Sequence, residues 1–212
     1  MADELVSRLI ELPSGPVRVL QPDYAAELPD DGPIEWAPVA PYWSVLWRSG
    51  VALAHELDGA PLRGVRVVEL GCGLALPSIA AARAGADVLA TDEAPEALAL
   101  AERNAGANDV PLTTAEVNWS EPAGLLRKGP FDVVLAADVL YERQNVATLL
   151  GLLPRLAPEA WIADPGRPAA SAFLEQAEAR WPVDTRVRGV VSIHRLRPGA
   201  APGPPPGEHR SR

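Results

Sequence analysis

An apolar run that ends in an acid and a Gly-x-Gly turn constrains this chain most: Val65-Arg66-Val67-Val68-Glu69-Leu70-Gly71-Cys72-Gly73-Leu74-Ala75-Leu76-Pro77. A helix of small residues is expected to follow. About twenty residues after the turn, a second apolar run, Asp87-Val88-Leu89-Ala90-Thr91, ends in Asp92. A parallel sheet presents a nucleoside-sized ligand in this way, at the carboxyl ends of its first two strands.

The surrounding pattern agrees. Strands are expected at 65–70, 87–91, 113–117, 131–137 and 159–163. Helices are expected between them at 76–84, 94–106, 143–156 and 168–180. The run Phe131-Asp132-Val133-Val134-Leu135-Ala136-Ala137 is apolar enough to be central. Asp184 to Arg188 and Val190 to Leu196 read as a hairpin about Gly189. The expected fold is therefore α/β: a Rossmann-like, doubly wound, seven-stranded sheet, mostly parallel, with a C-terminal antiparallel hairpin strand.

Ahead of this core, Leu5, Leu9, Ile10 and Leu12 have roughly helical spacing, so a short helix is expected within 1–12. Seven prolines fall between 13 and 41. A second helix is expected over 42–57, from Trp43, Leu46, Trp47, Val51, Leu53, Ala54 and Leu57. The chain thus divides into an N-terminal extension and helix covering the site (1–57), the core (58–198) and a Pro/Gly-rich tail (199–212) expected to be disordered.

Composition narrows the partners. The 212 residues are 48% hydrophobic and carry a net charge of -9. No basic run suits nucleic acid, and no apolar run suits a membrane span. A neutral, cationic or lysine-bearing partner fits the field better. Cys72 is the single cysteine, which excludes an internal disulfide and fits a reducing cytosol. A cytoplasmic monomer is the expectation. His55, His194 and His209 lack metal-ligand spacing, so no metal site is expected.

The glycine turn then limits the ligand. A dinucleotide fingerprint needs a third glycine, and Leu76 stands there. That argues against a pyrophosphate seat and a nicotinamide-dinucleotide oxidoreductase, which also lacks a Ser-Tyr-Lys set, since Lys128 is the only lysine. Glu69, at the end of a buried strand, needs a partner. It would suit an ammonium or the backbone N–H groups of a bound amino-acid moiety. Asp92 can accept both hydroxyls of a ribose.

Glu69-Leu70-Gly71-Cys72-Gly73 followed by Asp92 resembles the first motif and ribose acid of class I S-adenosylmethionine-dependent methyltransferases, over roughly 60–165. Pro41-Tyr42-Trp43-Ser44-Val45-Leu46-Trp47, Asn118-Trp119 and Ala137-Asp138-Val139-Leu140-Tyr141-Glu142 together resemble methyltransferase family 16, the seven-β-strand protein-lysine methyltransferases with an Asp-x-x-Tyr motif. Leu20-Gln21-Pro22-Asp23 and Ala163-Asp164-Pro165-Gly166-Arg167 look most like the branch acting on the electron-transfer flavoprotein β subunit. Bacterial members of that branch are often labelled nicotinamide N-methylases.

The resemblance implies a role for each matching residue, with S-adenosyl-L-methionine as cofactor. Trp47 would close over it. Gly71, Cys72 and Gly73 would form the turn that the methionine part approaches. Asn118 and Trp119 would meet the adenine, by amide hydrogen bond and by packing. Ala137 would line the floor beside the sulfonium. Asp138 and Tyr141 would be catalytic: the acid attracts an ammonium and the hydroxyl orients the amine. The acceptor implied is a lysine on a protein substrate. A small amine or nicotinamide-like nitrogen is the alternative, and a binding protein that has lost the chemistry is another. The competing structural reading has Asp138 capping the next helix, Tyr141 in the core, and Asp164 and Arg167 in an internal ion pair.

Overall fold

The computed structural model describes residues 4–25 and 41–198. The predicted tail at 199–212 and Trp36 lie outside them. The elements run β1 (Leu5–Ile10), β2 (Val17–Pro22), a 3-10 turn (Tyr42–Ser44), α1 (Arg48–Leu57), β3 (Arg66–Leu70), α2 (Leu76–Arg83) and β4 (Asp87–Asp92). They continue with α3 (Pro95–Gly106), β5 (Thr113–Glu116), α4 (Ala123–Leu126), β6 (Val133–Ala137), α5 (Arg143–Leu156) and β7 (Glu159–Asp164). The chain then forms α6 (Pro168–Glu178), β8 (Val183–Arg188) and β9 (Val191–Leu196).

Seven strands form one sheet in the order β5-β4-β3-β6-β7-β9-β8. The first five are parallel; β9 runs antiparallel to β7 and to β8. The expected doubly wound sheet and its terminal hairpin are both present. The chain passes from β3 outward to β4 on one side and places β6 on the other. A topological switch point therefore lies between β3 and β6, where ligands bind in open α/β sheets. Register brings the strand ends level: Leu70 pairs with Thr91 and Ala136, Asp92 with Glu116, and Ala137 with Ala163.

Burial on both faces explains why β6 is so apolar: Val134, Leu135 and Ala136 are fully buried. Val67, Leu76, Ile79, Leu53 and Leu135 pack in one layer. Val68, Leu70, Val134, Leu149 and Phe173 pack in the other. The small residues of α2 let it sit close to β3, and Gly85, at φ +94, turns the chain out of that helix.

The N-terminus departs from expectation. Residues 5–10 form a strand, not a helix, paired with β2 from Leu5↔Pro22 to Ile10↔Val17. The spacing of Leu5, Leu9 and Ile10 fits a helix, but Pro13-Ser14-Gly15-Pro16 turns the chain back. A hairpin then satisfies the backbone of both segments. The other edge of β2 is closed by side chains. Asn104 accepts from the Leu20 N–H (2.6 Å) and donates to the Leu20 and Leu74 carbonyls (3.1 and 3.0 Å). Asn108, one helical turn on, does the same for Arg18 (2.8 and 2.7 Å). Two amides, one on α3 and one in the turn that follows it, thus stand in for a neighbouring strand. Asn104 is fully buried. Asn104→Ala strands three backbone groups and should cost about 2–4 kcal/mol, read as a lower urea midpoint.

The second predicted helix is shorter than expected. Trp47 is extended (φ -73, ψ 141) and precedes α1, while 42–44 make a separate 3-10 turn. That break carries the Trp43 carbonyl to the glycine turn, as described below. No helix among the described residues is long and apolar enough to cross a membrane.

Candidate active site

The strand ends and the 41–50 segment enclose a cleft of about 1080 Å³. Every predicted site residue lines it: Trp47 just ahead of α1, Glu69, Gly71, Cys72 and Gly73 at the end of β3, Asp92 at the end of β4, Asn118 and Trp119 after β5, and Ala137, Asp138 and Tyr141 at and after the end of β6.

The glycine turn shows why two glycines are needed. Gly71 and Gly73 both have left-handed backbones, φ +67 and +48. A Cβ on Gly73 would lie 2.9 Å from the Trp43 carbonyl oxygen; one on Gly71 would lie 3.3 Å from the Trp119 ring. Leu76 and Pro77 open α2. The Asp92 carboxylate braces the turn, accepting from the Gly73 N–H at 2.9 Å and the Ala94 N–H at 3.0 Å. Each oxygen keeps a lone pair for a further donor.

Glu69 is buried and finds its partner within the fold. Its Oε2 accepts from the Ser78 N–H (3.0 Å) and hydroxyl. Ser78 is in the first turn of α2, where backbone donors lack helical partners, and Ala75 gives no side-chain cap. Glu69 therefore caps α2 from the neighbouring strand, and Oε1 takes no part in that pair. Burial pushes its carboxyl up to about 8. The folded protein thus keeps the proton that the unfolded chain gives up above its ordinary value of 4.5. Stability should fall as pH rises from about 5 to about 8, by up to roughly 3 kcal/mol. Glu69→Gln keeps an acceptor for Ser78 and should flatten that slope in urea titrations at pH 5 and pH 8. Burial also raises the thiol of Cys72 well above its usual range, which leaves it a poor nucleophile.

Asn118 faces the cleft with its amide engaged. It donates to Glu93 at 3.0 Å and accepts from the Ser120 N–H and hydroxyl at 2.8 and 2.6 Å. Trp119 is half-buried beside Gly71 and offers a flat apolar face.

Asp138 does not cap α5. That helix starts at Arg143 after Glu142, with no side-chain cap. Asp138 has φ +58, a conformation costly for a side-chain-bearing residue. Its carboxylate is buried and accepts from Arg167 Nη2 at 2.8 Å and Nε at 3.3 Å, both on Oδ1. Tyr141 is 53% exposed, so it does not fill the core. Its partial burial raises the phenol above its usual range and keeps the hydroxyl protonated. Asn145 holds the loop between them, donating to the Val139 carbonyl at 2.8 Å.

Sequence reasoning puts Arg167 no nearer than a family-like loop by the expected substrate entrance, or in an internal ion pair with Asp164, and gives Asn145 no place in the site. Arg167 lines the cleft, pairs with Asp138, and lies over the Trp47 ring at 5.6 Å. It thus touches one residue assigned to the cofactor side and one assigned to the acceptor side. The family-like loop at 163–167 was the signal for it. Asn145 gave none: a polar residue in an amphipathic helix reads as solvated.

The lysine methyltransferase family model matches residues 42–162. The chain belongs to the lysine methyltransferase family. It is 35% identical over 121 residues to protein N-lysine methyltransferase METTL21A of Danio rerio, covering 53% of this chain and 55% of that one. It is 33% identical over 152 residues to the electron transfer flavoprotein beta subunit lysine methyltransferase of Rattus norvegicus, covering 66% and 57%. It is 31% identical over 118 residues to the histone-arginine methyltransferase METTL23 of Homo sapiens, covering 51% and 60%. The chain thus spans a little over half the length of these relatives. Among solved structures, magnesium protoporphyrin IX methyltransferase of Synechocystis PCC 6803 with bound SAM superposes with a TM-score of 0.55, at 20% identity, covering 70% of this chain and 78% of that one. Precorrin-6y C5,15-methyltransferase of Geobacter metallireducens gives a TM-score of 0.59, at 15% identity, covering 71% and 87%. These two share the fold.

Proposed function

We propose that this protein is an S-adenosylmethionine-dependent methyltransferase that N-methylates a lysine side chain of a protein substrate. The observation that carries this reading is one cleft shared by Asp92, at the end of β4, and the Asp138–Tyr141 pair, after β6. The residues present fit the cofactor. Gly71 and Gly73 leave bare backbone where a Cβ would collide. Asp92 has lone pairs to spare, and Leu76 denies a third-glycine approach to pyrophosphate.

When bound, S-adenosylmethionine supplies an electrophilic methyl group on a cationic sulfur. Asp92 would hold the ribose hydroxyls, Trp119 would stack on the adenine, and Trp47 would cover the site. Asp138 draws the acceptor's ammonium to the end of β6. The ammonium must lose its proton before it can attack. A carboxylate is a weak base, so the proton goes to water, and Asp138 acts by attraction and placement. The Tyr141 hydroxyl oxygen can then accept an N–H of the neutral amine, which leaves the lone pair free and aims it. Holding donor and acceptor in line is the main source of rate.

Charge supports a cationic acceptor. Among the described lining residues, Asp92, Glu93, Asp138 and Glu142 are the acids beside the protonated Glu69, and Arg167 is the cation. The resemblance to the rat enzyme makes the β subunit of electron-transfer flavoprotein the first substrate to try. The test is transfer of labelled methyl from the cofactor into a lysate. Label in protein, on lysine, supports the reading. Label confined to small molecules makes the protein a small-amine or nicotinamide-like methyltransferase instead.

A further inference from the structure

Behind Asp138 lies a second buried carboxylate that the reaction above does not use. Asp164, at the end of β7, is 1% exposed. Its Oδ1 accepts from the Gly166 and Arg167 N–H groups, both at 2.7 Å, and so shapes the loop. Its Oδ2 is buried with no hydrogen-bond partner. The nearest cation is Arg167 Nε, 3.9 Å away. That distance is too long for a hydrogen bond and short enough for ionic attraction.

Arg167 therefore stands between two carboxylates and hydrogen-bonds only one of them. The group holds two acidic side chains and one cationic side chain, so with both acids ionised it is one positive charge short. Burial raises the Asp164 carboxyl, the direction expected of an acid whose charge is incompletely met. A buried carboxylate lacking a donor is costly, and a small movement of Arg167 would supply one. That movement would release Asp138 at the cleft.

We propose that Arg167 is a positioning residue that exchanges between these two acids. In the free protein it rests on Asp138. When an acceptor ammonium reaches Asp138, the guanidinium passes to Asp164 Oδ2, and two cations then meet two carboxylates. This rests on the reading of the acceptor as an amine. It gives Asp164 a part beyond the turn, as the carboxylate that holds Arg167 while the acceptor is bound. The exchange also favours a cationic acceptor over a neutral one, because only a cation replaces the charge that Arg167 withdraws.

The test uses the full chain with S-adenosylhomocysteine bound, labelled with ¹⁵N-arginine. The probe is n-butylammonium, which has the lysine side chain's charge and reach. The Arg167 Nε–Hε resonance is assigned by its loss in Arg167→Lys. Titration with n-butylammonium should move this resonance, and n-butanol at the same concentration should not. In Asp164→Asn, which keeps an acceptor for the loop, the movement should shrink at least about fivefold. With a protein acceptor, the same variant should raise KM about tenfold and leave kcat within about twofold. An Arg167 resonance that ignores n-butylammonium, in a preparation that labels lysate proteins, overturns the exchange. So does equal movement in Asp164→Asn. A preparation that binds no S-adenosylhomocysteine rejects the underlying reading instead, and the exchange falls with it.

Discussion

Asp92→Ala should weaken S-adenosylhomocysteine binding at least about 100-fold, by isothermal titration. Two effects add. The carboxylate is the group at the end of β4 suited to a pair of ribose hydroxyls, and hydrogen bonds to a charged acceptor are the strong ones. It also accepts from the Gly73 and Ala94 N–H groups, so its loss frees the glycine turn. Asp92→Asn separates the two, since the amide oxygen can still brace one N–H while the charge is gone. Its affinity should fall between those of Asp92→Ala and the wild type. Unchanged affinity in Asp92→Ala would remove this residue from the site.

Asp138→Asn should lower methyl transfer at least about 100-fold while cofactor affinity stays within about threefold. The amide cannot attract an ammonium as the carboxylate does, nor hold Arg167 by charge. The substitution is nearly isosteric, so the left-handed backbone at this position is not asked to take a new shape. Asp138→Ala would be a poorer probe. It leaves the Arg167 guanidinium without its 2.8 Å partner, and breaking a buried ion pair destabilises the fold itself. Transfer at the wild-type rate in Asp138→Asn would make Tyr141 and the cleft alone responsible for placement.

The readable parts of the sequence were those whose chemistry is local. A glycine turn between an apolar strand and a small-residue helix is written in consecutive residues, and so is the apolar strand at 133–137. The elements that required a partner were harder. The pattern of Leu5, Leu9 and Ile10 favours a helix until Val17–Pro22 pairs with it, and nothing within 1–12 shows that pairing. The break before α1 has the same origin, because the turn at 42–44 is where the Trp43 carbonyl meets Gly73. Asn104 and Asn145 look like solvated helix residues, yet each satisfies backbone elsewhere in the fold. Arg167 acts on Asp138 across 29 positions of sequence, so its role was visible only as a short family-like loop.

The most direct measurement is transfer of labelled methyl from S-adenosylmethionine into a lysate, followed by mass spectrometry of the labelled product. The account predicts label on a lysine side chain of a protein, lost in both Asp92→Ala and Asp138→Asn. Label that stays in the small-molecule fraction, or no transfer by a protein that binds S-adenosylhomocysteine, would contradict it.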